Sequence, residues 1–174
     1  MNDLLASIID AHGGMDRWNR YEKVDATIVS GGGFFPLKGV LQDSDPRRMT
    51  VWLHEERSSV IPYGAPDQRT MFTPERIAIE KLDGTVIAER HAPSDSFAGH
   101  QMSTPWDPLH RAYFNGEALW TYLTTPFLLG MDGVRARRPS RGGRAQKCGA
   151  CCAHTSLPRS KHIASFKISS SARI

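Results

Sequence analysis

The segment RIAIEKLDGTVIAER, residues 76–90, is the clearest indication of architecture in this chain. Its two β-forming runs, residues 76–82 and 85–90, flank the dipeptide Asp83-Gly84. Asp-Gly accepts the positive φ angles of a type I′ turn, which joins two antiparallel strands with only two residues. The segment therefore predicts a β-hairpin within an antiparallel sheet.

Two earlier segments have the same period of two. Apolar residues recur at every second position in residues 24–28 and again in residues 49–53, a pattern typical of half-buried strands. The glycines at 31–33 end the first run and are followed by Phe34-Phe35-Pro36 rather than by a recognisable helix start. We interpret the glycines as a flexible turn or strand bulge.

Helical periodicity appears on both sides of these strands. Residues 3–12 place apolar side chains on one face, and Gly13-Gly14 stops the helix. A second helix is predicted near residues 107–124, with Asp107 as its N-cap and Pro108 in its first turn. Its apolar stripe consists of Leu109, Ala112, Tyr113, Gly116, Leu119, Trp120 and Leu123.

These elements predict an α+β fold, because a one-sided sheet covered by helices buries both apolar faces. We expect an antiparallel, half-barrel-like sheet with an N-terminal helix and the helix near residues 107–124. The predicted domain organisation is a globular α+β domain over residues 1–134 and a basic tail over residues 135–174. The tail has no sustained period and is rich in Arg, Ser, Gly and Pro, so we predict that it is irregular or disordered.

The two parts differ in charge. Residues 1–134 hold 12 basic and all 18 acidic residues, a net charge of −6, whereas residues 135–174 hold ten basic residues and no acidic one. A basic tail can adhere without sequence preference to nucleic acid or to an anionic surface. Phe166 is its only aromatic residue, so base stacking is unsupported and a solvated tail without a partner is the favoured alternative.

The abrupt start of the tail suggests another alternative. A reading-frame shift in a GC-rich gene would replace expected strands with an Arg, Ser, Pro and Cys-rich terminus of this kind. The chain would then be a frameshifted or truncated product without function, and its sheet would be incomplete. Sequencing the gene would test this hypothesis, which an in-frame tail shared by close relatives would refute.

The cysteines also lie in the tail. Cys148, Cys151 and His154 have the chemistry and local spacing of zinc ligands. Structural zinc sites usually draw a second pair of ligands from a distant segment, and no such pair is evident here. We therefore favour an accidental cluster and predict no cofactor.

The residues Asp10-Ala11-His12-Gly13-Gly14 with Arg17-Trp18, together with the segments at 105–107 and 119–127, resemble an uncharacterised family of longer bacterial proteins. The resemblance extends to about Gly133, and the chain departs from the family where further strands are expected. The layout is also similar to the half-barrels of bacterial lipoprotein carriers. That similarity implies an apolar groove on the sheet and a noncatalytic domain that binds a hydrophobic small molecule.

Candidate residues follow for two functions. Large aromatic side chains that could line a hydrophobic groove are Phe34, Phe35, Trp52, Trp106 and Trp120. Alternatively, Asp107 could orient an imidazole of His100 or His110 for general-base catalysis. An Asp N-cap beside a helix-surface His explains the same pattern, and we favour that interpretation over an enzyme.

Location is predicted from what the sequence lacks. Ser7 and Asp10 interrupt the first apolar stretch, which has no basic segment before it, so it does not resemble a signal peptide. No apolar run approaches the ~20 residues that a transmembrane helix needs. These features predict a cytoplasmic protein without a transmembrane segment.

Overall fold

The computed structural model describes residues 3–30, 32–40 and 45–131. Within them lies a six-stranded antiparallel sheet with helices packed against it, which confirms the predicted α+β class. The basic tail, including Cys148, Cys151 and His154, falls outside the described residues.

The sheet is a meander in which each strand pairs with the next along the chain. Adjacent antiparallel strands need only short connections, which explains why turn residues separate the strands in the sequence. The strands are β1 (Lys23–Ile28), β2 (Arg47–Trp52), β3 (Arg57–Ile61), β4 (Gln68–Phe72), β5 (Arg76–Lys81) and β6 (Val86–His91).

The β5–β6 hairpin is present, but the prediction of a type I′ turn was wrong. Lys81 N–H donates to Thr85 O over 2.8 Å, so residues 82–84 form a three-residue loop. Gly84 has a φ of +92°, whereas Asp83 keeps a negative φ. The Asp83 carboxylate accepts a hydrogen bond from Thr85 N–H at 2.8 Å, a local bond that stabilises the longer loop.

The predicted N-terminal and second helices are both present. They are α1 (Asp3–Ala11) and α4 (Pro108–Thr124). Gly13 ends α1 with a φ of +105°, and Gly14 N–H donates back to Ile9 O at 3.0 Å. This is the αL termination that glycine permits without steric cost.

The remaining helices are short. They are α2 (Met15–Trp18), α3 (Phe34–Leu37) and 3₁₀ turns at Pro93–Phe97 and Phe127–Gly130. We predicted that no helix starts after the glycines at 31–33, and α3 shows that this prediction was wrong. Lys38 N–H donates to both Phe34 O and Phe35 O, so one helical turn forms, and Gly39 leaves it with a φ of +73°.

The core lies between one face of the sheet and the helices. Helix α4 crosses β3, β4 and β5, and its Gly116 lies directly on Phe72. One apolar cluster joins α1, α2, β1, β2 and the end of α4, and a second joins β4 and β5 to the first half of α4. Because both clusters include residues of α4, they form one continuous layer between the sheet and the helices.

Among the described residues, no helix is both long enough and apolar enough to cross a membrane.

Candidate functional site

An apolar groove of about 650 Å³ lies between the N-terminal end of α4 and strands β4 to β6. Its volume is within the range of roughly 300–1,000 Å³ that is typical of small-molecule sites. The side chains and backbone that line it belong to Gly39, Val40, Tyr63, Gly64, Gln68, Ile79, Ile87, Ala88, Trp106, Asp107, Pro108, Leu109 and Arg111. Most of this surface is apolar.

A buried polar pair forms one wall of the groove. The Tyr63 hydroxyl accepts a hydrogen bond from Arg111 Nε at 2.9 Å and donates one to Pro108 O at 2.7 Å. The Arg111 guanidinium carbon also lies 4.4 Å from the centroid of the Tyr63 ring. Because Tyr63 and Arg111 are only 2% and 7% exposed, these contacts fix the wall in one geometry.

Asp107 caps α4 at the rim of the groove. Its carboxylate accepts the His110 N–H at 2.8 Å and an Arg90 Nη2 hydrogen bond at 2.6 Å. Burial alone would raise the pKa of Asp107, but the bonds from Arg90 and His110 outweigh burial and lower the pKa below its ordinary value. The sequence-predicted N-cap is therefore confirmed, and Arg90 ties it to β6.

His110 completes this cap. Its Nδ1 lies 3.3 Å from the Asp107 backbone nitrogen, which closes a reciprocal capping box, and 2.9 Å from Asp107 Oδ1. Its Nε2 lies 3.4 Å from Ser96 O. Both ring nitrogens are thus engaged with neighbouring groups, which is the arrangement of a structural histidine.

His100 lies beside His110, with the two ring centroids 5.1 Å apart. His100 Nδ1 is buried and has no hydrogen-bond partner in the described part of the chain. Burial lowers the pKa of His100 below its ordinary value of 6.5, and the charges of His110 and Lys38 lower it further, whereas Asp107 acts in the opposite direction. The structure therefore brings His100, Asp107 and His110 together in surroundings that disfavour protonation of His100.

We expect the folded protein to lose stability on acidification because of His100. The unfolded chain takes up a proton near pH 6.5, whereas folded His100 does so only at lower pH, so the unfolded state binds more protons between these values. The contribution of His100 to the free energy of unfolding is fully present above its pKa in the unfolded chain. It is lost as the pH falls toward its pKa in the folded protein. Urea unfolding between about pH 7.5 and pH 5.5 measures this loss.

The His100→Asn variant should show a flatter dependence over that interval. The matched control is His91→Asn, because His91 is the last residue of β6 and its side chain is 74% exposed. Equal slopes for the wild type and His100→Asn would contradict the prediction.

The predicted aromatic residues Phe34, Phe35 and Trp106 lie in one cluster. The Phe34 ring is 5.3 Å from Trp106 and 5.5 Å from Phe114. Lys38 passes over Trp106 at 5.2 Å and donates to Gln101 O at 2.8 Å, which ties the segment before α4 to α3. Of the three predicted residues, only Trp106 lines the groove. Phe34 and Phe35 pack against the Trp106 ring.

The other two predicted aromatic residues, Trp52 and Trp120, lie elsewhere. Trp52 is on the opposite sheet face, where the Arg57 guanidinium stacks 4.2 Å from its ring. Trp120 is a core residue whose Nε1 donates to Trp52 O at 2.9 Å and to Glu55 O at 2.7 Å. The five predicted aromatic residues therefore do not share one cavity.

Sequence reasoning missed most of the groove wall. Ile87 and Ala88 belong to the hairpin segment, and Tyr63 and Arg111 lie far apart in sequence. Their shared surface depends on tertiary packing, and the only local signal was the Asp107-Pro108 helix start beside Trp106. No cluster of three or more His, Cys, Asp or Glu side chains suited to a metal ion occurs within residues 3–30, 32–40 and 45–131.

Comparison with known proteins gives no further guide: no protein-family model, curated protein or solved structure matches this chain.

Proposed function

We propose that the domain is a noncatalytic binding module for a hydrophobic small molecule that lies in the groove beside α4. The observation that carries this proposal is the groove of about 650 Å³, whose walls are mostly apolar. Burial of apolar ligand surface is favourable by roughly 25 cal/mol per Å². A lipid-like or other elongated apolar molecule is the ligand class that this lining favours.

The polar groups of the groove support a binding role, because their hydrogen bonds to one another hold the walls rigid. Tyr63 and Arg111 bond to each other, and Asp107 is occupied by Arg90 and by the first turn of α4. Rigid walls of this kind reduce the ordering cost of binding.

The alternative of an enzyme that uses His100, Asp107 and His110 has weaker support. A general base needs a nitrogen within reach of a substrate proton, yet both nitrogens of His110 contact Asp107 or Ser96. His100 Nδ1 is buried against the same cluster. The arrangement fits a helix cap that is packed against aromatic rings.

Binding of an environment-sensitive apolar dye tests the proposal. We expect saturable fluorescence enhancement with the wild-type protein and displacement of the dye by a fatty acid. In Ala88→Trp the added indole occupies the groove, so dye affinity should fall about tenfold or more, since a tenfold change needs only ~1.4 kcal/mol of lost contact.

The matched control is Val86→Trp, which adds an indole two residues away on β6 at an exposed position outside the groove. This variant should bind the dye like the wild type. Equal loss in both variants, or dye binding that a fatty acid does not displace, would argue against the groove as the site. Thermal unfolding of each variant measures whether the fold is retained.

Bacterial origin, a cytoplasmic location and contacts made by the basic tail stay predictions of the sequence. The alternative of a frameshifted product without function predicts neither cooperative unfolding nor saturable ligand binding, so the same experiment separates it from the groove proposal.

A further inference from the structure

The face of the sheet opposite α4, here called the open face, concentrates positive charge. Residues 1–134 are acidic overall, yet open-face positions of β1 to β6 hold five of their twelve basic side chains and only three carboxylates, those of Asp25, Glu80 and Glu89. These positions alternate with the core positions of each strand, as the pleat requires. The five residues are Lys23, Arg48, Arg57, Arg69 and Arg76.

A depression of about 230 Å³ lies at the centre of the open face. Three consecutive strands each contribute one guanidinium, from Arg48, Arg57 and Arg69, and no carboxylate of residues 3–30, 32–40 and 45–131 lines the depression. The remaining lining residues are Thr50, Trp52, Ser59, Ile61, Met71 and Leu82. Cationic groups and apolar surface therefore share one small site.

Strand register explains how these groups converge. Arg48 lies opposite Ile61, and Thr50 lies opposite Ser59, so a guanidinium, two hydroxyls and an apolar side chain are direct cross-strand neighbours. Such pairs have their Cβ atoms roughly 4.5–5.5 Å apart. The sheet thus holds the groups of β2 and β3 within reach of one small ligand.

The arginines are only partly neutralised. Arg48 is exposed and has no ion pair among the described residues, and Arg57 reaches Glu55 only at 3.8 Å. Arg69 Nη2 lies 3.4 Å from Glu80, while its Nε is buried without a hydrogen-bond partner in the described part of the chain. A buried donor without an acceptor is costly, and an anionic ligand would reduce that cost.

We propose that this depression binds a small organic anion, namely a phosphate or carboxylate carried on a flat apolar group. Guanidinium groups bind such oxyanions with paired, charge-assisted hydrogen bonds, which Arg48 and Arg69 can donate. The apolar part of the ligand packs against Ile61, Met71 and Leu82. This site lies on the other face of the sheet from the α4 groove and does not depend on it.

Isothermal titration of the full chain with phenyl phosphate tests the proposal. We expect saturable binding, about tenfold weaker in Arg48→Ala because a charge-assisted hydrogen bond is lost. The matched control is Arg20→Ala, which removes the same charge from an exposed position outside the depression. Benzyl alcohol, which has a ring but no charge, should not bind measurably.

Equal weakening in Arg48→Ala and Arg20→Ala would overturn the proposal, because it would indicate only a general charge effect. Absence of saturable binding to the wild type would also overturn it, and so would inorganic phosphate that binds as tightly as phenyl phosphate. Ala88→Trp should leave phenyl phosphate binding unchanged, so this test and that of the α4 groove can fail separately. Because Arg48 is exposed, we expect the Arg48→Ala variant to fold, and thermal unfolding measures whether it does.

Discussion

Replacement of Trp120 by alanine is expected to lower the free energy of unfolding by about 3–5 kcal/mol. Trp120 is 6% exposed and joins the core cluster beneath β2. Its Nε1 donates to two carbonyls, Trp52 O at the end of β2 and Glu55 O within the turn that follows. Alanine would create a cavity and leave both carbonyls without this donor. Urea unfolding, monitored by far-UV circular dichroism, measures the effect.

Two variants identify the source of this loss. Trp120→Phe keeps most of the buried ring but removes the donor, so it should cost less than alanine. Tyr122→Ala, on the same helix but 56% exposed, should change stability by about 0.5 kcal/mol or less. A Trp120→Ala variant as stable as Tyr122→Ala would contradict the packing described for α4.

The Gly116→Ala variant is expected to be destabilised by about 1–3 kcal/mol. Alanine in an exposed helix would instead stabilise it by about 1 kcal/mol, because its helix propensity is higher. At Gly116, however, an added Cβ would lie 2.5 Å from Phe72 Cγ and 2.6 Å from Phe72 Cβ. Helix α4 must therefore shift away from β4. The midpoint of urea unfolding reports the change.

A double-mutant cycle provides the control. Phe72→Leu removes ring atoms that an alanine at position 116 would meet, so Gly116→Ala should cost less in that background than in the wild type. Equal costs in both backgrounds would contradict a clash with Phe72.

The sequence predicted the elements whose signals are local. Asp107-Pro108 starts α4, Gly13 ends α1, and the alternation around β1 and β2 identifies both strands. Strand β3 was harder to recognise because Ser58, a polar residue, points into the core and donates to Gly116 O at 3.2 Å. Likewise, buried Thr70 in β4 accepts the Val60 N–H at 3.0 Å. The alternation of apolar and polar residues therefore does not identify a strand in which polar side chains are buried and hydrogen-bonded.

The candidate site was predicted only in part, for a related reason. Asp107 and Trp106 are adjacent in sequence, and the structure places both at the groove. The opposite wall comes from β6 and Tyr63, which meet α4 only after the meander has formed. The cluster on the open face depends on strand register, because arginines on β2, β3 and β4 converge only when the strands are paired.

The meander also has a consequence for biosynthesis. Strands that pair with their sequence neighbours close short loops, and such local contacts favour rapid folding. On the ribosome, β1 to β6 can pair as they emerge, before residues 108–124 of α4 have been made. Until then Phe72 and Ile77 lack their helical cover. The nascent chain thus exposes an apolar sheet face while residues 92–124 are being translated, which is the interval in which a chaperone would act.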